Sequence, residues 1–324
     1  MKLNKALFGL FVGLTSLVGG SVYADAGYPT KPITLVVAYG PGGSNDIIAR
    51  AVAKAMEPIL GQPVIVRNQS GAGGVVGTTF VANAPPDGYT VGWGTSSQLV
   101  MNAGLYKKLP FNLDTDVSMV GLATKFPLVF VVNSKYSSLK DFVGAAEKSP
   151  GKLFFGSGGV GQVSHVMTEI FRKQVGIDIR HVPYRGSAEV LQDLAAGRID
   201  IYLETFTAAA PFVASGKARY VAVGSDKRVP MNSDVPTLAE AGYPQFEPYT
   251  WSGVFVPART PPAIVQKLNG ALNAALQSAE LKEASKALGI LIIGGASPEA
   301  AEQFARSERA KWVPRIRESG IAAD

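Results

Sequence analysis

Val36-Val-Ala-Tyr39-Gly-Pro-Gly-Gly43-Ser44-Asn-Asp46-Ile-Ile-Ala-Arg50 reads as the end of a strand, a tight loop and the start of a helix. The Val-rich run stops at a Gly/Pro turn, and Ser44, Asn45 and Asp46 then open an amphipathic helix with no proline until Pro58. The first N–H groups of a helix lack intrahelical partners and sit at the positive end of its dipole, so an anion fits just outside them. Glycines at 42 and 43 allow a ligand to approach the backbone closely. An ordinary strand-to-helix connection capped by Ser44 or Asp46 accounts for the same residues equally well.

Outward from this stretch the strand–loop–helix unit recurs. Ile33–Ala38 is a continuous apolar run, as in a strand buried on both faces, and Ser44–Leu60 is its helix. Val64–Arg67 is a strand followed by the loop Asn68-Gln-Ser-Gly-Ala-Gly-Gly74 and a helix from Val75 to Asn83; Tyr89–Trp93 is a third strand, ending in Gly94-Thr-Ser-Ser-Gln98. In an open parallel sheet such loops align at the carboxyl ends of the strands, where ligands bind. Met119–Ala123 and Leu128–Val132 are apolar segments at which the chain is expected to cross into a second lobe.

The second lobe repeats the pattern. Lys152–Phe155, the loop Gly156-Ser-Gly-Gly-Val-Gly161 and the helix Gln162–Val175 come first, then the strand Ile179–Val182 and a helix opened by Tyr184-Arg-Gly-Ser187. Asp200–Leu203 is a strand ending at Glu204, and Arg219–Gly224 is another. Asp234–Tyr249, with three prolines and a glycine, has linker composition. Trp251–Val256 reads as a strand, Pro261–Gln277 as a helix, and a last helix from Pro298 is expected to break or kink at Pro314, with Phe304, Trp312 and Ile316 on its buried side. A C-terminal segment packing back on the first lobe makes that lobe discontinuous: residues 25–125 and 250–324 against 126–249, with a double crossover and hinges near Lys125 and Tyr249.

Lys2 and Lys5 precede an apolar run from Ala6 to Val22, and Val22-Tyr-Ala24 has the small-x-Ala form of a signal-peptidase site. Residues 1–24 therefore read as a cleaved secretory signal, which places the mature chain in the periplasm. The absence of cysteine excludes thiol catalysis, thiolate metal sites and a lipid anchor on cysteine. The formal charge of +6 falls to about +4 without the signal, and the basic residues are scattered, which argues against nucleic acid.

Gly156–Gly161 matches G-x-G-x-x-G, but the acid that should close the next strand, Asp178, opens it, so a dinucleotide site is disfavoured. G-x-S-x-G and G-x-x-x-x-G-K-S/T do not occur, and Ser164 and His165 are adjacent on a helix, so their side chains diverge. His165 and His181 are the two histidines and lack metal-ligand spacing. What recurs beside glycines at helix starts is polar uncharged chemistry: Ser44, Thr95, Ser96, Ser97, Gln98, Ser157, Ser164 and Ser187. Such groups donate hydrogen bonds worth about 1.5–3 kcal/mol each to a charged acceptor, so they bind a carboxylate and do not transform it.

Lys31-Pro-Ile33, Tyr39–Asp46, Asn68–Gly74, Pro86-Asp-Gly-Tyr-Thr90, His181-Val-Pro-Tyr-Arg-Gly186 and Val235-Pro-Thr-Leu-Ala-Glu-Ala-Gly242 together resemble the Bug-type extracytoplasmic solute receptors, substrate-binding components of tripartite tricarboxylate transporters. The resemblance runs in order over the whole mature chain. It implies a type II periplasmic-binding-protein fold: two α/β lobes around a ligand cleft, joined by two crossovers. It also implies a small organic acid as ligand, membrane permease subunits as partners, a monomer, and neither cofactor nor catalysis. Carried over by position, it puts Tyr39, Gly43, Ser44 and Asp46 on the first-lobe side, beside Gly73 in the loop after Asn68 and Thr95, Ser96, Ser97 and Gln98. Ser157, Gly161, Ser164, His165, Arg185, Gly186 and Glu204 would face them from the second lobe. Asp46 then serves as a cap or water anchor, Arg185 either pairs with a second carboxylate or stands as a surface arginine, and an inward Glu204 disfavours a bulky anion and favours an amine or hydroxyl. Two rival functions stay open: a sensor presenting its liganded form to a membrane signalling protein, and an exported hydrolase, which requires a serine within reach of His165 or His181.

Overall fold

A computed structural model describes residues 27–42, 44–184 and 186–322, the side chains at 44, 287 and 288 excepted. The signal segment, Gly43, Arg185 and the side chain of Ser44 lie outside the described residues.

The elements follow in order: β1 (Ile33–Val37), α1 (Ser44–Leu60), β2 (Val64–Asn68), α2 (Val75–Ala82), β3 (Thr90–Thr95), α3 (Asn102–Leu105), β4 (Val117–Pro127) and β5 (Val129–Asn133). Then come α4 (Leu139–Lys148), β6 (Leu153–Ser157), α5 (Val163–Val175), β7 (Ile179–Pro183), α6 (Ser187–Ala195), β8 (Ile201–Glu204), α7 (Phe206–Ala214) and β9 (Ala218–Val223). The chain closes with β10 (Tyr249–Pro257), α8 (Pro262–Leu276), α9 (Ala279–Leu288), β11 (Leu291–Ile292) and α10 (Pro298–Ser319).

These strands form two sheets. The first has the order β11-β4-β10-β3-β1-β2, with β1 parallel to β2 and β3, and β10 antiparallel to β3 and β4. The second has the order β7-β6-β8-β5-β9, with β6 parallel to its neighbours and β5 antiparallel to β8 and β9. Central β1 is covered on both faces, whereas edge strand β2 alternates, turning Val64 inward and leaving Ile65 exposed. Helix α1 covers β1 with Ile48, Val52 and Met56, one stripe at four-residue spacing, each large side chain contributing about 1.5–3 kcal/mol by burial.

Two passages join the sheets. The first runs from β4 to β5 through Leu128; the second is the irregular segment 224–248. They meet: Leu128 N–H donates to the Pro248 carbonyl at 3.1 Å, and Gly224 N–H donates to the Leu128 carbonyl at 2.7 Å.

The expected break at Pro314 does not occur, since α10 runs unbroken through it. Proline leaves the carbonyl four residues earlier without its helical partner. Ala310 and Pro314 both lie on the exposed side, where solvent can reach that carbonyl, while Trp312 and Ile316 anchor the flanking turns in the core. Phe304 is partly buried against the same core.

Candidate functional site

A cavity of about 460 Å³ lies between the two sheets, at the carboxyl ends of β1, β3, β6 and β8. Of the positions singled out from sequence, Tyr39, Gly73, Thr95, Ser97, Gly161, Ser164, Ser187 and Glu204 line it.

The first wall rests on a chain of hydrogen bonds. Gln98 Oε1 accepts from Thr95 N–H at 3.0 Å and from Thr95 Oγ1 at 3.1 Å, and Gln98 Nε2 donates to Thr78 Oγ1 at 3.1 Å, which donates to the Gly74 carbonyl at 2.9 Å. Tyr39 OH lies 2.7 Å from Thr95 Oγ1. Because the Thr95 proton goes to Gln98, Tyr39 is the donor in that pair. Both protons are thus spent inside the wall, which leaves backbone amides and the hydroxyls of Ser70 and Ser97 to face a ligand.

The loop Gly71–Gly74 supplies that backbone. All four of its residues have positive φ, at 145°, 46°, 60° and 95°. Ala72 is the one non-glycine residue among those described in that region, and its carbonyl and that of Gly73 are taken by Tyr106 OH and Asn102 Nδ2 at 3.2 Å each. A Cβ at Gly74 would stand 2.5 Å from Gln98 Cγ, so only glycine lets Gln98 reach Thr95.

Behind this wall sits Asp46, 3% exposed and outside the cavity lining. It accepts from Gly42 N–H at 2.9 Å, Arg50 Nε at 2.9 Å and Asn68 Nδ2 at 2.8 Å, while Asn68 also donates to the Tyr39 carbonyl at 3.0 Å. Burial pushes its carboxyl up, but the bonds from Arg50, Gly42 and Asn68 outweigh that and bring it down to about 2. Asp46 therefore holds the Tyr39–Gly42 loop in place. Ser96 and Gln98 are likewise buried behind the surface; Ser96 Oγ lies 2.9 Å from Thr250 Oγ1, which ties the β3 loop to β10.

On the second wall, Gly161 N–H donates to His165 Nδ1 at 3.1 Å, and the His165 and His181 rings stack at 3.8 Å. Ser157 Oγ lies 2.7 Å from His181 Nε2, so a serine does stand within reach of a histidine. It is not a nucleophile–base pair. Ser157 Oγ donates to the Gly159 carbonyl at 3.0 Å, which makes His181 Nε2 the donor to Ser157 and leaves that nitrogen no lone pair facing the hydroxyl. Ser157 is also fully buried and absent from the cavity lining. Desolvation, reinforced by His165, lowers His181 to about 4, and desolvation lowers His165 against the pull of Glu169. Ser157, His165 and Gly186 therefore sit behind the cavity surface, bracing the glycine loop and the start of α6.

Glu204, at the end of β8, does face the cavity, held by Ser187 Oγ, by Tyr202 OH at 2.6 Å and by Thr205 N–H at 2.8 Å. Sequence reasoning missed Tyr202, Thr205, Thr250, Phe126 and Leu128, which also line the cavity. Thr205 sat next to a flagged residue and caps α7, a readable signal. Nothing in the strand patterns of β4, β8 and β10 told which side chains turn toward the cavity.

Among the described residues no group of histidine, cysteine and acidic side chains could hold a metal ion, and no helix is long and apolar enough to cross a membrane.

The family profile described as "Tripartite tricarboxylate transporter family receptor" matches residues 48–321. Protein BugT of Bordetella pertussis is 36% identical over 97% of this chain and 97% of its own length. Among solved structures, a protein from Rhodopseudomonas palustris with adipate is 34% identical, with a TM-score of 0.82 over 91% of this chain and 99% of that one. MatC from the same organism, with bound malate, is 31% identical, with a TM-score of 0.80 over 89% of this chain and all of that one. The two α/β lobes around a cleft are the architecture of the periplasmic binding protein BugD, matched at a TM-score of 0.80. The chain belongs to the tripartite tricarboxylate transporter receptor family, and it is a solute-binding receptor and not an enzyme.

Proposed function

We propose that this chain is exported to the periplasm, takes a small carboxylate into the cleft between residues 25–125 with 250–324 and residues 126–249, and delivers it as a monomer to the permease subunits of a tripartite tricarboxylate transporter. The observation that carries this reading is the first wall of the cavity: left-handed, glycine-rich backbone and hydroxyls from Ser70 and Ser97, converging without a reactive group. Relatives that hold adipate and malate support the ligand class. Several such donors on one carboxylate are enough for micromolar affinity, about −8 kcal/mol. Tyr39, Gly43, Ser44, Gly73, Thr95, Ser97, Gly161, Ser164, Arg185 and Glu204 are the proposed ligand-side positions, with Asp46, Ser96, Gln98, Ser157, His165 and Gly186 acting behind them. Closure of the lobes about the two passages near Lys125 and Tyr249 would then present the liganded form to the permease. Isothermal titration of the purified receptor against mono-, di- and tricarboxylates and amino acids tests the reading: saturable binding without turnover is expected, and failure with every class overturns it.

A further inference from the structure

The two walls of the cavity differ in charge. Glu204 is the one charged side chain among the described residues that line it. Ser187 Oγ and Tyr202 OH both lie within hydrogen-bond reach of its Oε2 and 2.9 Å from each other, and Thr205 N–H donates to Oε1. Donors gathered around a carboxyl group favour its charged form, which accepts only. Burial first, then the neighbouring Glu204, push the Tyr202 phenol well up, so it stays a donor. The first wall offers donors suited to an anion, and the second offers a fixed negative charge with a lone pair of Oε1 still to fill.

We infer that the ligand is an aminocarboxylate, its carboxylate on the Tyr39 and Gly71–Gly74 side and its ammonium group against Glu204. This inference rests on the carboxylate reading above and narrows it. A dicarboxylate of the same length would bring a second negative charge up to Glu204 in a cavity of about 460 Å³, where the walls screen charge less than water does. A zwitterion places its opposite charge there, so it is selected both by attraction and by exclusion of its rival.

Matched pairs that differ only in the distal group separate the possibilities: 4-aminobutyrate against succinate, 6-aminohexanoate against adipate, and 4-(aminomethyl)benzoate against terephthalate. Titration of the intact receptor should give at least tenfold tighter binding of the amino member of the best-binding pair. Glu204→Gln keeps the shape and removes the charge, and it should shrink that ratio at least tenfold, mainly by weakening the amino member. Equal or tighter binding of the dicarboxylates by the unaltered receptor overturns the inference while leaving the carboxylate reading in place, and this result does not depend on the variant folding. An unchanged ratio in a folded Glu204→Gln receptor overturns the role of Glu204. Absence of binding by every member of the panel overturns the carboxylate reading itself.

Discussion

The two walls of the cleft are built by opposite means. On the first, left-handed backbone does the work: four successive residues with positive φ, three of them glycine, expose backbone, and a buried relay from Tyr39 through Thr95 and Gln98 to Thr78 fixes the shape. On the second, a glycine loop with positive φ at Gly159 and Gly161 only is braced by titratable groups, the stacked His165 and His181 behind Gly161 and the Glu204–Tyr202–Ser187 cluster in front. The first wall should therefore be sensitive to shape and indifferent to neutral pH, and the second the reverse.

The sharpest way to break this contrast is Gly74→Val. The new side chain meets Gln98 at a φ of 95°, and strain with overpacking should cost about 3 kcal/mol in denaturant unfolding and abolish ligand binding. A variant with the parent's midpoint and affinity would show that the relay is not what shapes the wall.

Acid should act on the second wall. The unfolded histidines take up protons near pH 6.5, whereas His181 stays neutral in the folded state until about pH 4. Stability is thus complete above pH about 6.5 and declines as the pH falls toward 4, by on the order of 2 kcal/mol. Unfolding curves of the parent and of His181→Asn across this range measure the effect, and parallel curves would remove the histidines from it.

Asp46 reverses the window. Its folded value near 2 lies below that of an ordinary carboxylate, so its contribution is present above pH about 4 and is lost as the pH falls to 2. Asp46→Asn should cost about 1–2 kcal/mol at neutral pH, less than the full shift implies because Arg50 is half exposed and screened. The variant's acid limb should flatten below pH 4 in the same unfolding assay. The smallest effect belongs to Thr95→Ala, which frees Tyr39 without opening the wall and should weaken ligand binding by about 1 kcal/mol in calorimetry while the melting temperature holds.

Much of this was legible in residue order because the strands that carry the site end in glycine and hydroxyl residues, and a buried run such as Ile33–Val37 announces itself by its lack of alternation. Helices α4 and α9 were overlooked although Ser138 and Ser278 cap them, each accepting from the N–H three residues on. Caps without a long apolar stripe are weak signals by themselves. At the site, residue type identified which loops meet the cavity, but not the layer each side chain occupies. Thr95 and Gln98 come from one loop, yet only Thr95 lines the cavity, because Gln98 turns back to Thr78. Such a choice is made by tertiary hydrogen bonds, and no local pattern records it.

Leu128 turns its N–H to Pro248 and receives Gly224 on its carbonyl, and a side chain at 224 would strike the Pro248 carbonyl. The outgoing and returning passages are thereby pinned to each other at a single residue. Any swing of one lobe on the other has to twist both passages about that pin as if on one axle. Phe126 and Leu128 ride on the axle and form part of the cavity lining. If the lobes close on a ligand as proposed, opening the cleft and reshaping its floor would be a single movement, and a ligand that fits the floor would hold the door.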